Sequence, residues 1–151
     1  MTLIAERRLK EEFRSFEKLF RYSSDMICIA GEDGFFKKVN PAFKRILGWE
    51  TDYLLETSFL EFIHPEDLDT AMAELANLSA GEEITNFLNR YRTIDGSYKM
   101  LQWTVVPEAG TGKLFGVARD MTEVVQQQEE LRTAKLLAEQ ANTAKSEFLA
   151  I

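Results

Sequence analysis

Few side chains in this sequence could do covalent or metal chemistry, and they stand apart from one another. There is one cysteine, Cys28, and one histidine, His64. A single cysteine excludes an internal disulfide, and with only one histidine a Cys/His zinc site is excluded too. Cys28 lies between Ile27 and Ile29 in an apolar run, where burial raises the thiol pKa and leaves it inert. His64 directly precedes Pro65 at a helix start, so a capping or surface contact accounts for it better than metal ligation. The adjacent carboxylates Glu82-Glu83 and Glu129-Glu130 fall on solvated faces. No glycine loop of the phosphate-cradling kind is present, and 151 residues leave no room for an ATP-binding domain beside the elements read below. These residues therefore predict a chain with no catalytic centre and no metal site of its own.

The elements that would position these groups are legible from periodicity and punctuation. Leu9, Phe13, Phe16 and Phe20 recur at helical spacing among charged residues, which predicts a flanking helix over 1–22. Met26–Ala30 and Phe35–Val39 read as a β-hairpin around Gly31-Glu32-Asp33-Gly34. The first strand does not alternate, which predicts cover on both of its faces. Asn40-Pro41 opens a short helix with Asn40 as N-cap, and Gly48 closes it. Two small helices follow, at Glu50 to Glu56 and Phe59 to Ile63. His64-Pro65-Glu66-Asp67 opens a longer helix whose expected buried stripe is Leu68, Met72, Leu75 and Leu78. Ile84–Thr93 and Ser97–Val106 form a hairpin about Asp95-Gly96, and Gly110-Thr111-Gly112 leads into Leu114–Arg119. Non-alternating strands and a mixed apolar face at Met100, Leu101 and Trp103 predict that the first helix covers the outer face of a sheet, its own or a partner's. The strand and helix order gives an α+β domain with an antiparallel sheet over 23–122.

Asp120-Met121-Thr122-Glu123 is a capping box, and from there to Ile151 nothing breaks a helix. Val124, Leu131, Ala134, Ala138, Ala141 and Phe148 fit the a and d positions of a heptad, with Gln127 and Lys145 as polar interruptions. A solvated single helix is the plain alternative. Pairing with a second copy is the better account, because an isolated helix this rich in alanine and charge gains little burial. The net charge is −7 with basic residues interleaved among acidic ones, so nucleic acid is not an expected partner. The longest apolar run, Met26–Ala30, is far below the ~20 residues that cross a bilayer, so no membrane contact is expected of these residues. A reducing cytoplasm fits, although a longer parent could carry membrane segments elsewhere.

Five fragments occur in order: Asn40-Pro41-Ala42-Phe43, Leu47-Gly48-Trp49, His64-Pro65-Glu66-Asp67, Asp95-Gly96-Ser97-Tyr98 and Asp120-Met121-Thr122. Together they closely resemble the PAS sensory family from about Phe16 to Thr122. The end of the chain, Ala144-Lys145-Ser146-Glu147-Phe148-Leu149-Ala150, resembles the start of the dimerisation helix of a histidine kinase, and puts the phosphoacceptor histidine beyond Ile151.

The resemblance implies a five-stranded antiparallel sheet with helices on one face and a pocket between them. Ile29, Phe43, Leu47, Phe59, Met72, Leu75 and Phe87 are the implied pocket residues, which suit a small apolar or aromatic ligand. Asp120 and Thr122 would relay its state to the helix over 123–151, and Val124, Leu131, Ala138 and Phe148 would form a homodimer seam leading to a kinase domain in the same parent chain. Relatives that form a flavin–cysteine adduct place the cysteine on a helix within Asn-Cys-Arg-Phe-Leu, and the corresponding region here has none. Haem-binding relatives use a histidine farther along the long helix or on the next strand, also absent here. Neither haem nor flavin is expected. Trp49 and Trp103 are expected as core or sheet-packing residues. The function implied is a sensory input domain of a two-component histidine kinase; a pure dimerisation module with a filled pocket, or the input of another signalling enzyme, is the alternative.

Overall fold

The computed structural model describes residues 2–150. Its first helix, α1 (Leu3–Tyr22), is capped by the Thr2 hydroxyl, which accepts from the Ala5 amide at 3.2 Å. The hairpin β1 (Met26–Gly31) and β2 (Phe36–Val39) follows, then α2 (Ala42–Leu47), α3 (Thr51–Glu56), two 3₁₀ turns, and α4 (Leu68–Ser79). Strands β3 (Ile84–Arg92), β4 (Tyr98–Pro107) and β5 (Lys113–Asp120) complete the domain, and α5 (Thr122–Ala150) follows. The five strands form one antiparallel sheet in the order β2-β1-β5-β4-β3. The link from β2 to β3 joins the two edge strands and carries α2, α3 and α4, which pack on one face of the sheet.

The core lies between that face and the helices. Met26, Phe43, Leu47, Leu54, Phe62 and Leu101 have almost no exposed surface. Burying each such side chain stabilises the fold by roughly 1.5–3 kcal/mol relative to leaving it in water. Local chemistry sets the boundaries of these elements. Gly48 ends α2 at φ 86°, a conformation open to glycine without steric cost. At Pro65, His64 Nδ1 accepts from the Glu66 amide at 3.0 Å, and the His64 ring lies 4.6 Å from that of Tyr98. In the β3–β4 turn, the Asp95 carboxylate is held down to about 2 by hydrogen bonds from the Thr93 and Ser97 hydroxyls and the Ser97 amide.

Four expectations need correction. β1 does alternate: Met26, Cys28 and Ala30 are buried, and Ile27 and Ile29 are half-buried on the other face. Asn40 does not cap α2 with its side chain. Its Oδ1 accepts from the Ile27 amide at 3.0 Å, and its Nδ2 donates to the Phe20 and Asp25 carbonyls, both at 2.9 Å. A buried amide surrounded by three backbone groups is better satisfied this way than at an exposed helix end. In α4 Leu75 and Leu78 face inward as expected, but Ala71 takes the place of Met72, which is 53% exposed. Lastly, of the two placements expected for α1, on the sheet of its own chain or on a partner's, the first does not occur. Phe13 and Phe16 are 61% and 67% exposed, and the bonds from Asn40 to Phe20 and from Arg45 to Ser23 hold only its last turn and the residue after it.

The chain divides into two compact units, one ending at Asp120 and one beginning at Met121. The second is α5 alone, and none of its described residues is buried.

Candidate functional site: a cavity between sheet and helices

A small cavity of about 80 Å³, partly open to solvent, lies between the sheet and the helices. Its sheet side is built from alternate residues of neighbouring strands: Cys28 on β1, Phe87, Asn89 and Tyr91 on β3, Trp103 on β4, and Gly116 on β5. Phe59, Ala71, Leu75 and Leu78 close it from the helices, and Glu74 lines it from α4. Gly116 is what keeps the sheet side open. A Cβ added there would stand 3.1 Å from Cys28 Sγ and 3.3 Å from the Trp103 ring, so both neighbours would have to give way.

Of the residues expected to line a pocket, Phe59, Leu75 and Phe87 do so. Phe43 and Leu47 are fully buried but belong to the core beside it. Ile29 lies on the opposite face of the sheet from its neighbours Cys28 and Ala30, since successive strand residues point to opposite sides. Met72 faces outward on α4, one position beyond the inward stripe.

The expected list held only apolar residues and missed the polar ones. Asn89, 4% exposed, uses its Oδ1 to accept from Trp103 Nε1 at 2.9 Å. Tyr91 is 3% exposed, its ring 5.6 Å from that of Trp103, and burial pushes its phenol pKa well above the ordinary range. Cys28 is likewise pushed up to about 12 by burial, with the Gly116 backbone pulling slightly the other way, so it stays a neutral thiol. The signal was present in the sequence. Phe87, Asn89 and Tyr91 alternate with Leu88 and Arg90, which places the asparagine on an apolar inner face.

At the rim of the fold an ion pair fixes β3 to the start of α4. Asp67 accepts from the Arg90 amide at 2.8 Å and from Nε at 3.0 Å, and its other oxygen accepts from the guanidinium at 2.8 Å. The Arg90 hydrogen bond, with its charge, holds the Asp67 carboxyl below the usual carboxylate range. At the end of β5, Asp120 lies 4.0 Å from Lys99 Nζ. Among the described residues, no cluster of His, Cys, Asp and Glu is placed to hold a metal, and no helix is long and apolar enough to cross a membrane.

Known proteins place this geometry. The family model described as the PAS fold matches residues 36–118, over half of the chain. A sensory-box histidine kinase/response regulator domain from Geobacter sulfurreducens is 25% identical, with a TM-score of 0.63 over 74% of this chain and 96% of its own. The PAS domain of an HTR-like protein from Haloarcula marismortui is 28% identical, with a TM-score of 0.66 over 79% of this chain and 99% of its own. Among curated proteins, the autoinducer 2 sensor kinase/phosphatase LuxQ of Vibrio vulnificus is 22% identical over 95% of the chain. The cell-division control histidine kinase PdhS of Brucella anthropi is 26% identical over 94%. The chain spans only 16% and 14% of the length of these two relatives. An antiparallel sheet of this order, helices on one face, a cavity between them and the matched family model together make the chain a member of the PAS fold family, related to the sensory domains of histidine kinases.

Proposed function

We propose that the chain is the sensory input of a two-component histidine kinase, which takes a small ligand or a partner state and passes it through a dimeric helix to a kinase domain in the same parent chain. The observation that carries this reading is the extent of the likeness. The alignments with two histidine kinases run over 95% and 94% of the chain and so include most of α5, whereas the PAS model ends at residue 118. Catalysis then belongs to the parent, by ATP-dependent autophosphorylation, and Asp120 and Thr122 stand where the sensory domain meets the output helix. The proposed location is the cytoplasm, with any membrane anchor elsewhere in the parent.

Unburied apolar residues support a homodimer. Leu131 and Phe148 on α5 are exposed in the single chain, as are Leu9, Phe13, Phe16 and Leu19 on α1. On the outer sheet face Ile27 pairs with Val117 and Ile29 with Phe115, leaving an apolar strip beside Val106. A second copy related by a twofold axis would cover such surfaces with identical partners.

For the cavity the reading is a small, mostly apolar ligand rather than haem or flavin. Its volume of about 80 Å³ is well below the ~300 Å³ at which drug-sized pockets begin. His64, bonded to the Glu66 amide, is not among its lining residues. A haem or flavin absorbance band in the purified protein would overturn this part. The same small volume favours a second reading, a dimerisation module whose pocket is filled by side chains.

The test is to join residues 1–151 to the dimerisation and ATP-binding core of a histidine kinase and insert zero to seven residues after Ala150. A helical relay makes autophosphorylation rise and fall with the heptad phase of the insert. Activity independent of insert length would refute the relay.

A further inference from the structure

The cavity contains two hydrogen-bond donors that the protein leaves unused. Trp103 Nε1–H can only donate, so the Asn89 atom facing it must be Oδ1. That assignment leaves Nδ2 with no hydrogen-bond partner among the described residues. No hydrogen bond is made by the Tyr91 hydroxyl among the described residues either, and neither atom is sealed off as Arg92 Nε is, so both face space that a small molecule can enter. Both residues are more than nine-tenths buried and both line the cavity. They stand two apart on β3 and so share its inner face. Polar groups in a protein interior are nearly always paired, with protein or with something bound. Two donors that face one small cavity are where an acceptor from outside the chain would bind.

The rest of the lining narrows its chemistry. No Lys or Arg lines the cavity among the described residues. An anion would leave water for apolar walls without a counter-charge. The remaining walls are aromatic and aliphatic. The volume of about 80 Å³ is about half of the ~150 Å³ cavity known to hold benzene, so the part of an occupant that lies within it is no larger than a small ring.

We infer that the cavity takes a small uncharged molecule bearing one hydrogen-bond acceptor, of the short ketone, aldehyde or lactone class, whose oxygen accepts from Asn89 Nδ2 and the Tyr91 hydroxyl while its hydrocarbon body lies against Phe59, Leu75 and Phe87. This rests on the reading of the cavity as a ligand site and adds the class of ligand. One ordered water would also satisfy the donors, so the test must separate an acceptor from mere occupancy.

Cyclobutanone and methylenecyclobutane have nearly the same shape, and only the ketone has an acceptor. Each is titrated into the ¹⁵N-labelled chain and followed by two-dimensional NMR. The ketone is expected to bind about tenfold tighter than the hydrocarbon. The Asn89 side-chain NH₂ pair should shift with the ketone and stay still with the hydrocarbon. Tyr91→Phe and Asn89→Leu should each bring ketone affinity towards that of the hydrocarbon and leave the hydrocarbon's own affinity unchanged. Should Asn89→Leu unfold for want of the Trp103 bond, the Tyr91→Phe titration and the wild-type NH₂ signals decide the matter. Equal binding of the two probes, or an unmoved Asn89 pair, overturns the acceptor inference and leaves the cavity a ligand site. Entry of neither probe overturns both.

Discussion

In the sheet-and-helix domain Phe36, Phe43 and Phe62 are buried, whereas in α1 Phe13 and Phe16 are 61% and 67% exposed. The same residue type is core in one region and surface in the other, and the difference lies in what each element has to pack against. α2 and α3 sit on a sheet whose inner face already carries Met26, Leu101 and Ala118, so their apolar sides find cover within one chain. The apolar stripes of α1 and α5 have no such cover. One region finds cover for its apolar side chains within the chain, and the other does not.

The largest effect that would break this contrast is in the core. Phe43 is fully buried, with its ring 5.3 Å from that of Phe36 and edge-on to it. Phe43→Ala should cost about 3–5 kcal/mol of unfolding free energy, since it removes the transfer energy and leaves a cavity. Urea denaturation at low protein concentration measures it. A loss under 1 kcal/mol would mean that the core is not set by these packed helices.

Next in size is the seam of α5. Leu131→Asp would bring like charges together at the centre of a twofold helix pair and partly bury them, weakening association by a few kcal/mol. Sedimentation of the wild type and the variant provides the comparison, and the unfolding of the domain from Met26 to Asp120 should not change. A wild type that stays monomeric at high micromolar concentration, or one that pairs antiparallel, would remove the dimer as the explanation for the exposed stripe.

How far the sequence spoke for itself follows the same division. Features fixed by neighbouring residues were legible: the αL glycine at Gly48, the proline turn at His64-Pro65, and the Asp95-Gly96 hairpin. The PAS fold, with its five-stranded antiparallel sheet, followed from the ordered motifs. What failed were statements about which way a residue faces. Ile29 and Met72 sit one position away from inward-facing neighbours, and for a short apolar run periodicity alone does not fix the phase. Asn40 looked like a helix cap because Asn-Pro is a good local start. Three backbone groups from α1, β1 and the link between them won its side chain instead. The polar end of the cavity was missed because Asn89 becomes distinctive only when the inner face of β3 is counted residue by residue.

A smaller effect sharpens the view of the domain as stable by itself. The Asp67–Arg90 pair ties β3 to the start of α4, and Asp67→Asn should cost about 1–2 kcal/mol at pH 7. Because Arg90 lowers the folded-state pKa of Asp67, the contribution is fully present above the unfolded carboxylate value of about 4. It is lost as the pH falls through the depressed folded value. The gap in stability between wild type and variant should therefore shrink progressively as the pH falls below about 4. A gap that does not shrink in acid, as long as both proteins stay folded, would show that the Asp67 charge contributes nothing through this pair.

The smallest expected effect bears on the other side of the comparison. Phe13 and Phe16 lie on the exposed face of α1, so replacing both with Ser should change the unfolding free energy of the dilute chain by less than about 0.5 kcal/mol. Serine is the right replacement because its helix propensity is close to that of phenylalanine, which leaves the helix itself nearly undisturbed. The same double variant should nevertheless abolish any rise of the melting temperature with protein concentration, since stabilisation by a second copy grows with the concentration of that copy. The two measurements separate the possibilities. If stability falls by more than about 1 kcal/mol even in dilute solution, α1 contributes to the fold of its own chain and the contrast between the regions is wrong. If dilute stability and concentration dependence both stay as they were, the apolar face of α1 is not what a second copy covers, and the dimer rests on α5 alone.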